Sequence, residues 1–228
     1  MSDAKTAETD ASEPVASPPA PSLEELRAKH GSIEVLELPR EGQAPAIVAI
    51  KAMALDDFLE LQHNVEKRQS GVRLKDPREL IGPLLSCVVL GFAEAQQELS
   101  DFPGFEYDLL TAVSRLAGAM RDDVDVSLTE EPRPKQPIKI QVAGHVLTFR
   151  RLDAFDYSNA RADMGRLSRD CPGVVSPIAL YQIAKRQIVK EEAAEFDRVM
   201  ALWPAAAKPV GLLLYGAAQS AAERRAGK

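Results

Sequence analysis

The sequence predicts a predominantly helical α+β protein made of two similar lobes, each a β-hairpin followed by about three helices. Three observations lead there. Paired apolar segments with strand-like patterning occur twice, at 33–51 and at 138–151. The longer segments after each pair mostly carry apolar residues at helical spacing. The order of these elements repeats after about one hundred residues, and such a period decides the architecture.

The first element opens at Ser22 in SLEELRAKHG, where Ser22 and Glu25 have the spacing of a capping box and Gly31 closes a short helix. IEVLELP (33–39) and AIVAIK (46–51) read as a hairpin around Gly42. In DDFLELQHNVEKR, Asp56 or Asp57 is expected to start a helix with Phe58, Leu61 and Val65 on one face. Asp76-Pro77 is a second start signal, Asp as N-cap and Pro at the first helical position. LIGPLLSCVVLGF follows as helix, with Gly82-Pro83 in its first two turns expected to kink or delay it. EAQQELSDFP ends at Pro103, and FEYDLLTAVSRLAG is a last helix closed by Gly118.

Residues 122–137, charged and rich in proline, read as a linker. The order then recurs. IKIQVAG and VLTFRR form a second hairpin, turning at Gly144-His145. Ile50, Lys51, Met53, Asp57 and Phe58 match Phe149, Arg150, Leu152, Asp156 and Tyr157 at an offset of 99. Ser176-Pro177 matches Asp76-Pro77, Leu80 matches Leu180 and Val88 matches Ile188 at an offset of 100. Phe102-Pro103 matches Trp203-Pro204 at an offset of 101, a drift that short loop insertions produce. The expected organisation is an acidic Pro/Ala/Ser tail over 1–22, a first lobe over 23–121, the linker 122–137, a second lobe over 138–220 and a basic C-terminal tail over 221–228. Asp3, Glu8, Asp10 and Glu13 against Lys5, with no large aliphatic or aromatic residue to bury, predict disorder in the N-terminal tail.

The chain has 228 residues and a formal net charge of -6. Its 45% hydrophobic content supports a core, although aromatics are only 5% and aliphatics must fill it. An acidic chain lacks the overall attraction to phosphate that drives nucleic-acid binding. No basic segment precedes an apolar stretch near Met1, so no signal peptide is expected. The longest apolar stretch, 84–93, falls short of the ~20 residues of a membrane span. A soluble, cytoplasmic protein is the expectation, with Cys87 and Cys171 as reduced thiols.

His30, His63 and His145 have no Cys or second His at metal-ligand spacing and are expected at the surface. No nucleophile elbow, P-loop or dinucleotide fingerprint occurs. Asp56-Asp57, Asp122-Asp123, Glu130-Glu131 and Glu191-Glu192 are adjacent pairs, which point in different directions on a helix. No catalytic residue, cofactor or metal is therefore expected. An enzyme with a site drawn from Asp57, Arg150 and Asp156 is the reading from another class, and none of the three has an evident activator. The apolar faces carry more. Phe102, Phe105, Leu109 and Val113 in the first lobe, and Trp203, Val210, Leu213 and Leu214 in the second, are the candidate partner-binding residues. VGLLLYGAA is apolar nearly all round, so it is buried on more than one side, by its own lobe, by a partner or by a second copy in a homo-oligomer.

The pattern as a whole resembles the tail assembly chaperones of long-tailed bacteriophages and prophages. The matching residues are Leu26, Lys29, His30 and Gly31; Phe149, Arg150 and Arg151; Asp156-Tyr157; Phe196 and Leu202-Trp203-Pro204; and Leu116-Ala117-Gly118. The likeness spans most of residues 23–218. Such relatives usually carry one unit where this chain has two, and the first lobe has Ile50 and Ala52 in place of the aromatic and second basic residue. The resemblance implies a non-catalytic protein that keeps the phage tape measure protein soluble and recruits tail tube protein, without nucleic acid, membrane or cofactor. A structural virion component, such as a neck, tail or baseplate adaptor, is the alternative.

Overall fold

The structure, a computed structural model, describes residues 21–226 apart from 73, 75, 77, 123, 134, 168 and 170–174, with side chains as far as 218. It is mixed α+β and 57% helical, with nine α-helices and two small antiparallel sheets among the described residues. The N-terminal tail as far as residue 20, Pro77 and Cys171 lie outside that description.

Helix α1 (Leu23–His30) carries the expected capping box: the Glu25 amide donates to Ser22 Oγ and the Ser22 amide donates to the Glu25 carboxylate at 2.7 Å. Strands β1 (Ile33–Leu38) and β2 (Ala46–Lys51) form the first hairpin, with Leu38 opposite Ala46. Helix α2 (Leu55–Gln69) starts earlier than expected, from Ala54, so Asp56 and Asp57 sit in its first turn rather than at the cap. Their charge still favours the helix N-terminus.

The apolar run after residue 78 divides. It forms helix α3 (Arg78–Ser86) and then a strand, β3 (Val88–Leu90), where continuous helix was expected. Two adjacent valines favour the extended form, and β3 pairs with β2, Val88 opposite Ile50. Helices α4 (Phe92–Asp101) and α5 (Phe105–Leu116) complete this half. The expected linker also contributes a strand, β4 (Val126–Leu128), which pairs with β5 (Ile138–Val142), itself paired with β6 (His145–Phe149). The alternation in VDVSL is the sign of it. The tight turn falls at Ala143-Gly144, both at positive φ, and His145 belongs to β6.

Four helices follow: α6 (Ala154–Leu167), α7 (Pro177–Gln187), α8 (Ala193–Leu202) and α9 (Ala207–Ala226). Each hairpin is thus followed by four helices, against about three expected. Asp153, not Asp156, caps α6, accepting from the Asp156 amide at 2.7 Å. Ser176 caps α7 with Pro177 in its first turn. The backbone of α9 stays helical to Ala226, into the stretch expected to fray.

Several backbone bonds recur at matched positions of the two halves, although among the described residues β4 has no counterpart in the first half and β3 corresponds to a single bridge in the second. The Lys51 amide donates to the Cys87 carbonyl at 2.9 Å, and at the matched positions the Arg150 amide donates to the Gln187 carbonyl at 2.7 Å. Phe149 bridges Ile188 as Ile50 pairs with Val88. Fully buried positions coincide: Val48 with Leu147, Ile50 with Phe149, Leu109 with Val210, Val113 with Leu214. One core gathers around β2, α3 and α5; the other gathers around β5, β6, α7, α8 and α9. Leu55 and Leu59 of α2 join the second core, so α2 is wedged between the halves.

Candidate partner-binding site

The eight candidate residues separate sharply. Leu109, Val113, Val210 and Leu214 are fully buried, and Phe105 nearly so, within the cores of their own halves. Helical spacing detects an apolar face without saying what covers it; here α5 turns that face onto its own sheet and α3, and α9 onto α7. In this fold those five are covered by their own halves. Leu213 is half-buried against the second core, Trp203 lies half-buried at the junction of the halves, and Phe102 is 62% exposed.

The residues of the enzyme reading stay apart in role. Asp57 is on the exposed side of α2. Arg150 Nη2 donates to the Arg186 carbonyl at 2.7 Å, closing the end of α7, while Asp156 accepts from Gln187 Nε2 at 2.9 Å. Arg151 donates to the carbonyls of Arg133 and Ala217, tying the expected linker and α9 to the strand exit. Arg150 thus satisfies a carbonyl in the last turn of α7. Among the described residues no group of three or more His, Cys, Asp or Glu side chains is placed to hold a metal ion.

His63 is a correction: it is only 6% exposed, not on the surface, and burial, then Lys67, lowers its pKa. His145 Nδ1 lies 2.9 Å from Glu195 Oε1, and Arg198 also donates to Glu195, which holds that carboxyl below its usual range.

The junction itself encloses an open cleft of about 510 Å³. Its walls include Val124, Ala205, Pro209 and Leu212 beside the charged Arg121, Asp122 and Lys208, with Met120 at 81% exposure on the rim and Gln62 below. Trp203 packs behind two of the cleft's lining residues: its ring lies on Gly118, where an added Cβ would come within 3.1 Å, and Arg121 stacks 4.8 Å from the ring centroid. The Ala205 amide donates to the Ala117 carbonyl at 3.0 Å, and Lys208 Nζ pairs with Glu66 Oε1 at 2.6 Å. Apolar walls with a flexible methionine at the mouth suit an apolar side chain from another polypeptide.

Sequence reasoning misses Met120 and Val124, because a seam between halves has no periodicity of its own, whereas Leu212 lies within the apolar stretch VGLLLYGAA. One signal is legible. Leu55 and Leu59 form a second apolar stripe on α2 beside Phe58, Leu61 and Val65, the mark of a helix covered on two sides.

Comparison of the chain with protein-family models, with curated proteins and with solved structures found no match in any of the three. No single helix among the described residues is long and apolar enough to cross a membrane.

Proposed function

We propose that this chain is a phage or prophage tail assembly chaperone, non-catalytic and acting in the host cytoplasm, which binds the tape measure protein and helps recruit tail tube subunits. The observation that carries the reading is the open cleft at the junction, apolar over most of its lining and edged by Arg121, Asp122 and Lys208, with Met120 and Leu212 exposed at its mouth. A holdase for a largely helical client needs such a groove, an adaptable rim and an acidic exterior that resists co-aggregation. The net charge of -6 provides the last of these. The sequence resemblance supplies the client.

Co-expression of the full chain with the tape measure protein is the test. The tape measure protein is expected to become soluble and to co-purify. Met120→Asp combined with Leu212→Asp changes only exposed side chains, and is expected to weaken the complex at least about tenfold. Co-purification no better than with an unrelated acidic protein overturns the reading. So does stoichiometric presence of the chain in purified particles, which marks a structural component.

A further inference from the structure

The corner between α4 and α5 repeats the corner between α8 and α9. Phe102 has φ -131 and ψ 86, and Trp203 has φ -130 and ψ 65. The Phe105 amide donates to the Phe102 carbonyl at 2.9 Å, and the Ala206 amide donates to the Trp203 carbonyl at the same distance. The corners differ in what covers them. Around the second, Trp203, Ala205 and Lys208 all engage the first half, through Gly118 and Arg121, Ala117, and Glu66 respectively. The matched residues of the first corner are Phe102, Gly104 and Tyr107, each 101 earlier in sequence. Phe102 is 62% exposed and Tyr107 61%, with Arg68 5.9 Å from the Tyr107 ring centroid. Two large aromatic side chains thus stand uncovered where the second half places its junction residues.

The receiving side shows the same imbalance. Leu55, Leu59, Gln62 and Glu66 run along one stripe of α2, and the second half covers it. The matched stripe of α6 is Ala154, Ser158, Arg161 and Gly165, and all four are exposed. Phe155 beside them is 73% exposed. The molecule therefore has an open corner on one side and an open helix face on the other, and within the chain the matched corner meets the matched stripe at Glu66, through Lys208.

We infer that the protein self-associates head to tail, the Phe102–Tyr107 corner of one copy seating on the exposed α6 face of the next. The contact repeats between copies the junction that joins the halves within one copy. It is heterologous, so copies add to rings or open arrays rather than stopping at a symmetric dimer. Arg161 supplies a cation for the incoming aromatic rings, as Arg121 does for Trp203. The small side chains of α6 allow close approach and make the contact weaker than the internal one, so association is expected to depend on concentration.

Sedimentation velocity of the full chain over a micromolar-to-submillimolar range tests this. The mass is expected to rise above the 24.8 kDa monomer with concentration. Phe102→Asp and Phe155→Asp each remove one end, and each variant alone is expected to sediment as a monomer. Mixed, the two are expected to form a 1:1 dimer, because each keeps the end the other lost. Circular dichroism of each variant matching the parent shows that folding is intact; Phe102→Ser and Phe155→Ser replace any variant that fails that check. A parent that stays monomeric throughout overturns the inference. So does association that survives both substitutions, or a mixture that does not dimerise.

Discussion

Leu110 and Gly211 occupy matched positions on the last helix of each half, and they set different packing distances. A Cβ at Gly211 would lie 2.5 Å from the carbonyl oxygen of Leu180, so α9 lies backbone to backbone on α7. Leu110 instead places a side chain against the first core, which holds α5 off by the width of that side chain. The same order of elements therefore yields a tight second half and a looser first half. The tight half places α7 between α9 and α2, which draws the first half onto the second. The duplicated pattern supplies the elements, and single residues decide which copy becomes the junction.

The sharpest way to break this comparison is Gly211→Leu, which gives the second half the residue of the first. The new side chain meets backbone, which cannot swing aside, so α9 must lift from α7. Overpacking at this site is expected to cost about 3 kcal/mol or more, well above the ~1 kcal/mol gained by removing glycine from a helix. Urea unfolding of parent and variant measures it. A variant within about 1 kcal/mol of the parent would show that the close approach does not govern the fit.

Next in size is the pair of matched aromatics. Trp203→Ala removes a ring packed on Gly118 and under Arg121, and is expected to cost about 2 kcal/mol, less than a fully buried Trp because one side faces solvent. Phe102→Ala, measured at dilute protein, is expected to change stability by less than about 0.5 kcal/mol. Equal losses at the two positions would mean that both corners are covered alike within the monomer.

Much of this is legible in the sequence. Ser22 with Glu25, Ser176 with Pro177, and the drift from 99 to 101 between matched residues place the helix starts and the repeat. What escapes depends on contacts distant in sequence. Val88–Leu90 is a strand because β2 offers it an edge, and Val126–Leu128 because β5 does. Both are three residues long: VVL has no alternation to read, and the brief alternation around Val126 stands in a charged, proline-rich stretch that reads as linker. The candidate faces show the same limit: Leu109 and Val210 are recognisable as apolar, but only tertiary packing shows that their own halves bury them. The exposed residues that remain, Met120, Tyr107 and Phe155, stand outside any apolar stripe and give no pattern to read.

The smallest expected effect separates the two middle helices by pH. His63 on α2 is buried one turn from Leu59, and its Nδ1 has no hydrogen-bond partner among the described residues. Its counterpart on α6, Ala162, is exposed and cannot titrate. Burial, then the charge of Lys67, holds the His63 pKa below 6.5 in the folded chain. Well above that pH the imidazole is neutral in both states and contributes nothing to the pH dependence. As pH falls below about 6.5 the unfolded chain takes up the proton first, so stability declines until the folded chain is protonated as well. One such group gives a slope of at most about 1.4 kcal/mol per pH unit, and it acts before the carboxylates titrate. Urea unfolding between pH about 6.5 and about 5 is expected to show a steeper loss in the parent than in His63→Gln. Because α2 is the helix shared by the two halves, the parent should lose the Trp203 fluorescence signature of the closed junction over the same range. Parallel pH profiles for parent and variant would place His63 in water, and with it the face of α2 that the second half is said to cover.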